Sequence, residues 1–329
     1  MESTNPPPRV LCTDWPPPSD VSELPAAAFL ISTLWTPGQQ VTIDFIDNNP
    51  DEWKTAWVEK VVTEQVQPHV NLDLKFGNYG EQADIRITFA HANAAYSRLG
   101  TQSTWYKGSS EQPESMNLGW LDEPRGSFMW AGRVYTPPPC EWCSSNTNGS
   151  VIIHEFGHAL GMVHEHQNPQ GGINWDVPAV LSYFRGAPNF WNDEQIYFNV
   201  IDKYDSELLN ASDFDPQSIM LYAFPASLTL DGYATSANAV MSPVDIQWMH
   251  KVYGTPEGDP APVILDEDED EVLEDVGEGE DGEVDEVEEV DEDGDEVDAP
   301  SPRHNPVLLW TGVSTITLGA LLAAMGLAR

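Results

Sequence analysis

The sequence predicts an α/β or α+β domain built around a mixed sheet, followed by an acidic unstructured segment and an apolar C-terminal helix. Three observations predict it. Between residues 41 and 90, three stretches alternate apolar and polar residues, and a helically spaced stretch separates the first from the second. A histidine-dense stretch, "HEFGHALGMVHEH" (154–166), opens with helical signals and is broken by a glycine. Beyond residue 265 the composition changes to Asp, Glu, Gly and Val, and then to an uncharged apolar run.

Residues 1–30 are Pro-rich and predicted irregular, so the folded domain is expected over 31–255. "VTIDFI" (41–46) has the period of a half-buried strand. "NPDEWKTAWVEKVVTEQV" (49–66) then puts Trp53, Trp57, Val61 and Gln65 or Val66 on one helical face, with Asp51 near its start. "VNLDLKF" (70–76) and "ADIRITFA" (83–90) return to period two, and "SMNLGW" (115–120) supplies another short strand. Residues 121–147 read as loop. A helix is expected from Ser150 to Gly161. Short helical segments follow at "VPAVLSYF" and "DEQIYFNVIDKY", and a last helix has Ser242 as N-cap and Pro243 at its first position.

The formal net charge is −40, but 22 acidic groups and no basic one lie within 266–298. That run has no core-forming period, so 256–305 is expected to be a disordered, self-repelling linker. The rest of the chain is also acidic, which excludes nucleic acid as a partner, because phosphates would be repelled. Three cysteines are too few for a disulfide framework. Cys140 and Cys143 form a lone C-x-x-C, read as a local disulfide or two plain thiols rather than a structural zinc site.

The histidines carry the chemistry. On a helix, His154 and His158 stand four apart and present their rings side by side, close enough to share one cation. Gly161 permits the positive φ that stops the helix and turns the chain, so that His164 can return as a third ligand. Three neutral imidazoles leave tetrahedral Zn2+ an open position, the mark of a catalytic rather than a structural site. Glu155, next to His154, can reach a water on that ion and act as general base, delivering the proton to a leaving amine. His166 is not required at the metal; it is expected beside the ligands or on the surface.

These residues match the extended pattern H-E-x-x-H-x-x-G-x-x-H. With "SIMLY" (218–222) they resemble the metzincin zinc proteases, and the astacin-like group in particular. "LWTPGQQVTIDFI", "ADIRITF", "MNLGW", "FDPQSIMLY" and the "SPVD" helix resemble its fungal-type branch. The resemblance implies an α+β metzincin-like fold, with a mostly parallel sheet, an active-site helix, and a smaller C-terminal subdomain across a substrate cleft. It also implies a methionine turn at Met220 beneath the zinc. Tyr222 would be a further ligand or oxyanion stabiliser, and Glu165 a buried carboxylate linked to the mature N-terminus. An edge strand would bind substrate as an added strand, with "YSRLGTQ" (96–102) as the candidate.

The implied activity is zinc-dependent endopeptidase, with protein or peptide substrates. The alternatives are an inactive metalloprotease-like binding module carrying an acidic interaction stalk, and a zinc hydrolase of non-peptide amides. The aspartate switch of astacin propeptides and their two disulfides have no equivalent here. Cys12, in "PPRVLC", loosely resembles the cysteine switch of matrix metalloproteases, but the spacing favours an ordinary free or disulfide-bonded cysteine.

Val307–Leu327 is 21 residues without a charge, roughly 31 Å as a helix, enough to cross a bilayer core. A membrane span is the favoured reading, ahead of a cleaved lipid-anchor signal and a buried core helix. The N-terminus does not read as a secretory signal. Membrane association through one C-terminal span is therefore expected, with the protease domain extracellular or lumenal. Asn148 and Asn210 sit in short glycosylation tripeptides that carry little weight.

Overall fold

The computed structural model describes residues 33–256, apart from 92–93, 111–112, 122–123, 125, 139–148, 188 and 205–212. The expectations for the Pro-rich start, Cys12, Cys140, Cys143, Asn148, Asn210, the acidic linker and the apolar run 307–327 fall outside the described residues. Among the described residues no helix is long and apolar enough to cross a membrane.

Five strands form one sheet in the order β2-β1-β3-β5-β4. They are β1 (Gln40–Phe45), β2 (Asp73–Phe76), β3 (Ile85–Thr88), β4 (Ala95–Ser97) and β5 (Met116–Leu118). All neighbours run parallel except the last pair, in which β4 is antiparallel to β5. The alternation read in β1 is real: Val41 and Ile43 are fully buried while Thr42 and Asp44 are only partly covered. The parallel β1–β2 pair needs a crossover, and helix α1 (Glu52–Val61) supplies it.

Instead of running as one α-helix to Val66, α1 widens into a π turn over Val62–Val66. Its buried face is Ala56, Trp57, Val58 and Val61, continued by Val62 and Val66. Trp53 is only partly buried. β3 holds a buried arginine, Arg86, whose guanidinium donates to the carbonyls of Ala83, Asp84, Trp105 and Pro113. That satisfaction lets a cation sit in the sheet layer.

Two sequence expectations are corrected. Residues 121–147 are not all loop: β6 (Phe128–Trp130) and β7 (Arg133–Tyr135) form an antiparallel hairpin. Its two-residue turn, Ala131–Gly132, has φ of 45° and 76°, the left-handed pair that short hairpins favour. The candidate edge strand at 96–102 is shorter than read. β4 ends at Ser97, and the chain turns into a 3-10 segment over Gly100–Thr104.

Helix α2 (Ser150–Ala159) lies under the sheet, where Ile152, Ile153, Phe156 and Leu160 join the main core. A second apolar cluster forms beyond it, from α3 (Val177–Phe184), α4 (Asp193–Ile196) and the segment after Met220. Trp175, Phe184, Trp191 and Phe224 dominate this cluster. The last helix, α5 (Pro243–Tyr253), starts with the predicted Ser242 cap and returns to the main core through Met249, Val252 and Tyr253.

Candidate active site

The C-terminus of α2 is where the site is built, and its geometry follows from backbone accounting. The last four carbonyls of a helix have no partner within it. Here the Gly157 carbonyl accepts from the Met162 N–H at 2.9 Å and the His158 carbonyl from the Gly161 N–H at 2.8 Å. This is a Schellman turn, and it requires Gly161 at φ 93°. The Ala159 carbonyl accepts from Trp35 Nε1 at 2.8 Å, and the Leu160 carbonyl from Tyr253 Oη at 2.7 Å. All four groups are satisfied, two of them by side chains far away in sequence.

The turn also orients a ligand candidate. It brings the Met162 carbonyl to 2.8 Å from His158 Nδ1. A carbonyl oxygen only accepts, so Nδ1 carries the proton and the lone pair of the neutral ring is on Nε2. His154 is fixed the same way, with Nδ1 2.9 Å from the Ile219 carbonyl. Such backbone tethers set the tautomer that a metal needs.

His154, His158 and His164 come together as their spacing predicted: each offers a ligand atom, all within 4.8 Å of one another. His158 Nε2 and His164 Nε2 are 3.1 Å apart, with the two rings at 89°. Two nitrogens bound to tetrahedral zinc at about 2.0–2.1 Å stand about 3.4 Å apart. The His158–His164 pair already stands near that spacing, and the wider separations in the cluster, up to 4.8 Å, would close on binding one such ion. The three residues are 9%, 0% and 0% exposed, so the ligand atoms belong to buried side chains.

Glu155, beside His154 on α2, is 1% exposed. Tyr222 reaches the cluster, its hydroxyl 2.5 Å from His164 Nε2. His166, whose place the sequence left open, is buried beside the cluster. Its ring stacks on His164 and packs against Tyr222, and Nε2 donates to the Asn199 carbonyl at 2.9 Å. Gln167 adds bonds to the Phe198 and Asp202 carbonyls, so "HQ" pins the π turn Tyr197–Ile201 behind the site.

Met220 is 1% exposed and lies against α2. A Cβ on Gly157 would stand 2.6 Å from its sulfur, so any other residue there would force the Met220 side chain to shift. Sequence reasoning missed Gly157; its signal was a glycine inside a helix, which costs about 1 kcal/mol and calls for a packing reason.

Glu165 is half-buried, and its carboxylate accepts from the Asp215 N–H at 2.8 Å and Asn168 Nδ2 at 3.0 Å. Burial pushes its carboxyl up to about 7, against the pull of those two bonds and with help from the charges of Asp245 and Asp215. The mature N-terminus implied as its partner lies outside the described residues.

The fold and the histidine cluster together define a metalloprotease. A structure of myroilysin is 31% identical, with a TM-score of 0.56, over 68% of this chain and 97% of that one. The chain belongs to the astacin-like zinc metalloproteases. A second myroilysin crystal structure is 28% identical over 74% of this chain and 99% of that one, at a TM-score of 0.44. The hatching enzyme zinc-protease HCE-1 of the medaka fish Oryzias latipes is 15% identical over 68% and 96%, at a TM-score of 0.41. No protein-family model matches this sequence, and no curated protein matches it either.

Proposed function

We propose that this chain is a zinc-dependent endopeptidase in which His154, His158 and His164 hold the ion and Glu155 is the general base. The observation that carries the reading is the convergence of three imidazole ligand atoms within 4.8 Å, two of them with tautomers set by backbone carbonyls. Zinc bound there supplies Lewis acidity and a water of lowered pKa. Glu155 accepts a proton from the attacking water and passes it to the departing amine, so no covalent intermediate with the protein is needed. The Tyr222 hydroxyl donates to the oxygen that gains negative charge. Met220, Gly161 and Glu165 support the site.

Peptide substrates fit the edge position of β4, which packs beside α2 and, among the described residues, pairs with β5 as its one neighbouring strand. The motif matches between 34 and 254 support the fungal-type branch of the family. A tether to a membrane through Val307–Leu327 belongs to the same proposal, and the length and lack of charge of that run support it.

Glu155→Gln tests the base. It should abolish cleavage of unfolded protein substrates while zinc stays bound at one ion per chain. Retained cleavage would remove Glu155 from that role. A zinc-loaded chain that cleaves small amides but no protein would favour the non-peptide alternative.

A further inference from the structure

Asp245 is the third residue of α5, and its N–H donates to Ser242 Oγ at 2.9 Å while its Oδ2 accepts from the Ser242 N–H at 2.9 Å. That reciprocal pair is a capping box and needs one carboxylate acceptor. Asp245 accepts two further bonds, both from the methionine turn. Ser218 Oγ donates to Oδ1 at 2.8 Å and the Ile219 N–H to Oδ2 at 2.9 Å. Ser218 and Asp245 are 1% and 4% exposed, so these bonds are shielded from bulk water.

The consequence lies in one peptide plane. Ser218 Oγ, with its proton given to Asp245, presents a lone pair to the Met220 N–H at 3.1 Å. The Met220 N–H and the Ile219 carbonyl belong to the same planar trans peptide and point in opposite directions. Holding the N–H aims the carbonyl, and that carbonyl receives Nδ1 of His154 at 2.9 Å. The next carbonyl, of Met220, accepts the N–H of Glu165 at 3.1 Å, directly after His164.

We propose that Asp245 and Ser218 are positioning residues for the metal: they hold the Ile219–Met220 peptide that fixes the ring of His154. The inference rests on the zinc reading given above. Groups that orient a ligating imidazole typically contribute 10–100-fold in metal affinity, and this route supplies such a group from a helix more than 80 residues further along the chain.

The test is zinc affinity of the full chain by competition with a chromophoric chelator, with the visible bands of the cobalt-substituted protein as a second readout. Asp245→Ala should bind zinc about 10–100-fold more weakly and shift the cobalt bands. Asp245→Asn keeps a carbonyl oxygen for the two N–H donors and an amide for Ser218, and should stay within about threefold of wild type. Val252→Ala, on the same helix and in the same core but making no side-chain hydrogen bond to the methionine turn, should lower the Tm and leave zinc affinity unchanged.

If Asp245→Ala does not fold, Ser218→Ala decides, with an expected loss of about tenfold. Wild-type zinc affinity in the folded variant, or an equal loss in Val252→Ala, overturns the inference. A wild-type chain that binds no zinc would instead refute the proposed function itself.

Discussion

Replacing Gly157 with alanine sets two effects of opposite sign against each other. Alanine is favoured over glycine in a helix interior by about 1 kcal/mol. The new methyl, however, would stand 2.6 Å from Met220 Sδ, 3.4 Å from Met162 Sδ and 3.5 Å from Met220 Cε. A carbon and a sulfur in ordinary contact need about 1 Å more than the first of these. Met220 is 1% exposed, so its side chain can give way only by repacking within the core.

Overpacking of this kind costs about 1–3 kcal/mol, so the net expectation is a loss of about 1 kcal/mol. In a domain of this size that lowers the Tm by about 2–4 °C. Met220 shares its turn with the Ile219 carbonyl, so zinc affinity should fall as well. The assay is thermal unfolding of Gly157→Ala in wild-type and Met220→Ala backgrounds. Without the methionine sulfur the alanine should be neutral or stabilising, giving a coupling of about 1–3 kcal/mol. A raised Tm in the wild-type background would refute the claim that Gly157 is there to admit Met220.

Tyr253→Phe removes only a hydroxyl, but leaves the fully buried Leu160 carbonyl without its donor, and should cost about 1–3 kcal/mol in urea unfolding. An unchanged midpoint contradicts this. Burial pushes the Asp84 carboxyl up, but the bonds from Lys107 and Thr42 outweigh it and hold it below the usual carboxylate range. Its stabilisation is therefore complete above the unfolded pKa, about 3.9, and is lost as pH falls through the lower folded value. The stability gap between wild type and Asp84→Asn should be constant from pH 7 to about 5 and shrink below about 4; a gap independent of pH contradicts the linkage. Tyr222→Phe should cut kcat by about 100-fold or more with KM changed less than about threefold. An unchanged kcat would reject a transition-state role for the hydroxyl.

The histidine cluster was legible because helical spacing converts sequence separation into spatial separation. His154 and His158 needed only a 3.6-residue period, and His164 needed only the glycine that ends the helix. The capped start of α5 was legible for the same local reason, as Ser242 and Pro243 stand next to each other. Long-range satisfaction of polar groups was not legible. Nothing in the sequence says that Trp35 and Tyr253 finish the carbonyls of α2, because those bonds span 124 and 93 residues. The double use of Asp245 was hidden inside a good local explanation, the capping box. The hairpin at 128–135 was missed although "FMWAGRVY" carries its signal, aromatic and β-branched residues flanking a two-residue turn that ends in glycine. The edge strand was overextended because its candidate segment came from the family resemblance and not from a period of two; β4 ends at Ser97, and the chain enters a 3-10 segment at Gly100, whose φ is 47°.

X-ray absorption at the zinc edge of the purified full-length chain tests the central claim most directly. Three imidazole nitrogens and one or two oxygens at about 2.0–2.2 Å are predicted, with His158→Ala losing the metal. Absence of stoichiometric zinc, or a sulfur scatterer at about 2.3 Å in place of an oxygen, would contradict a three-histidine site open to water.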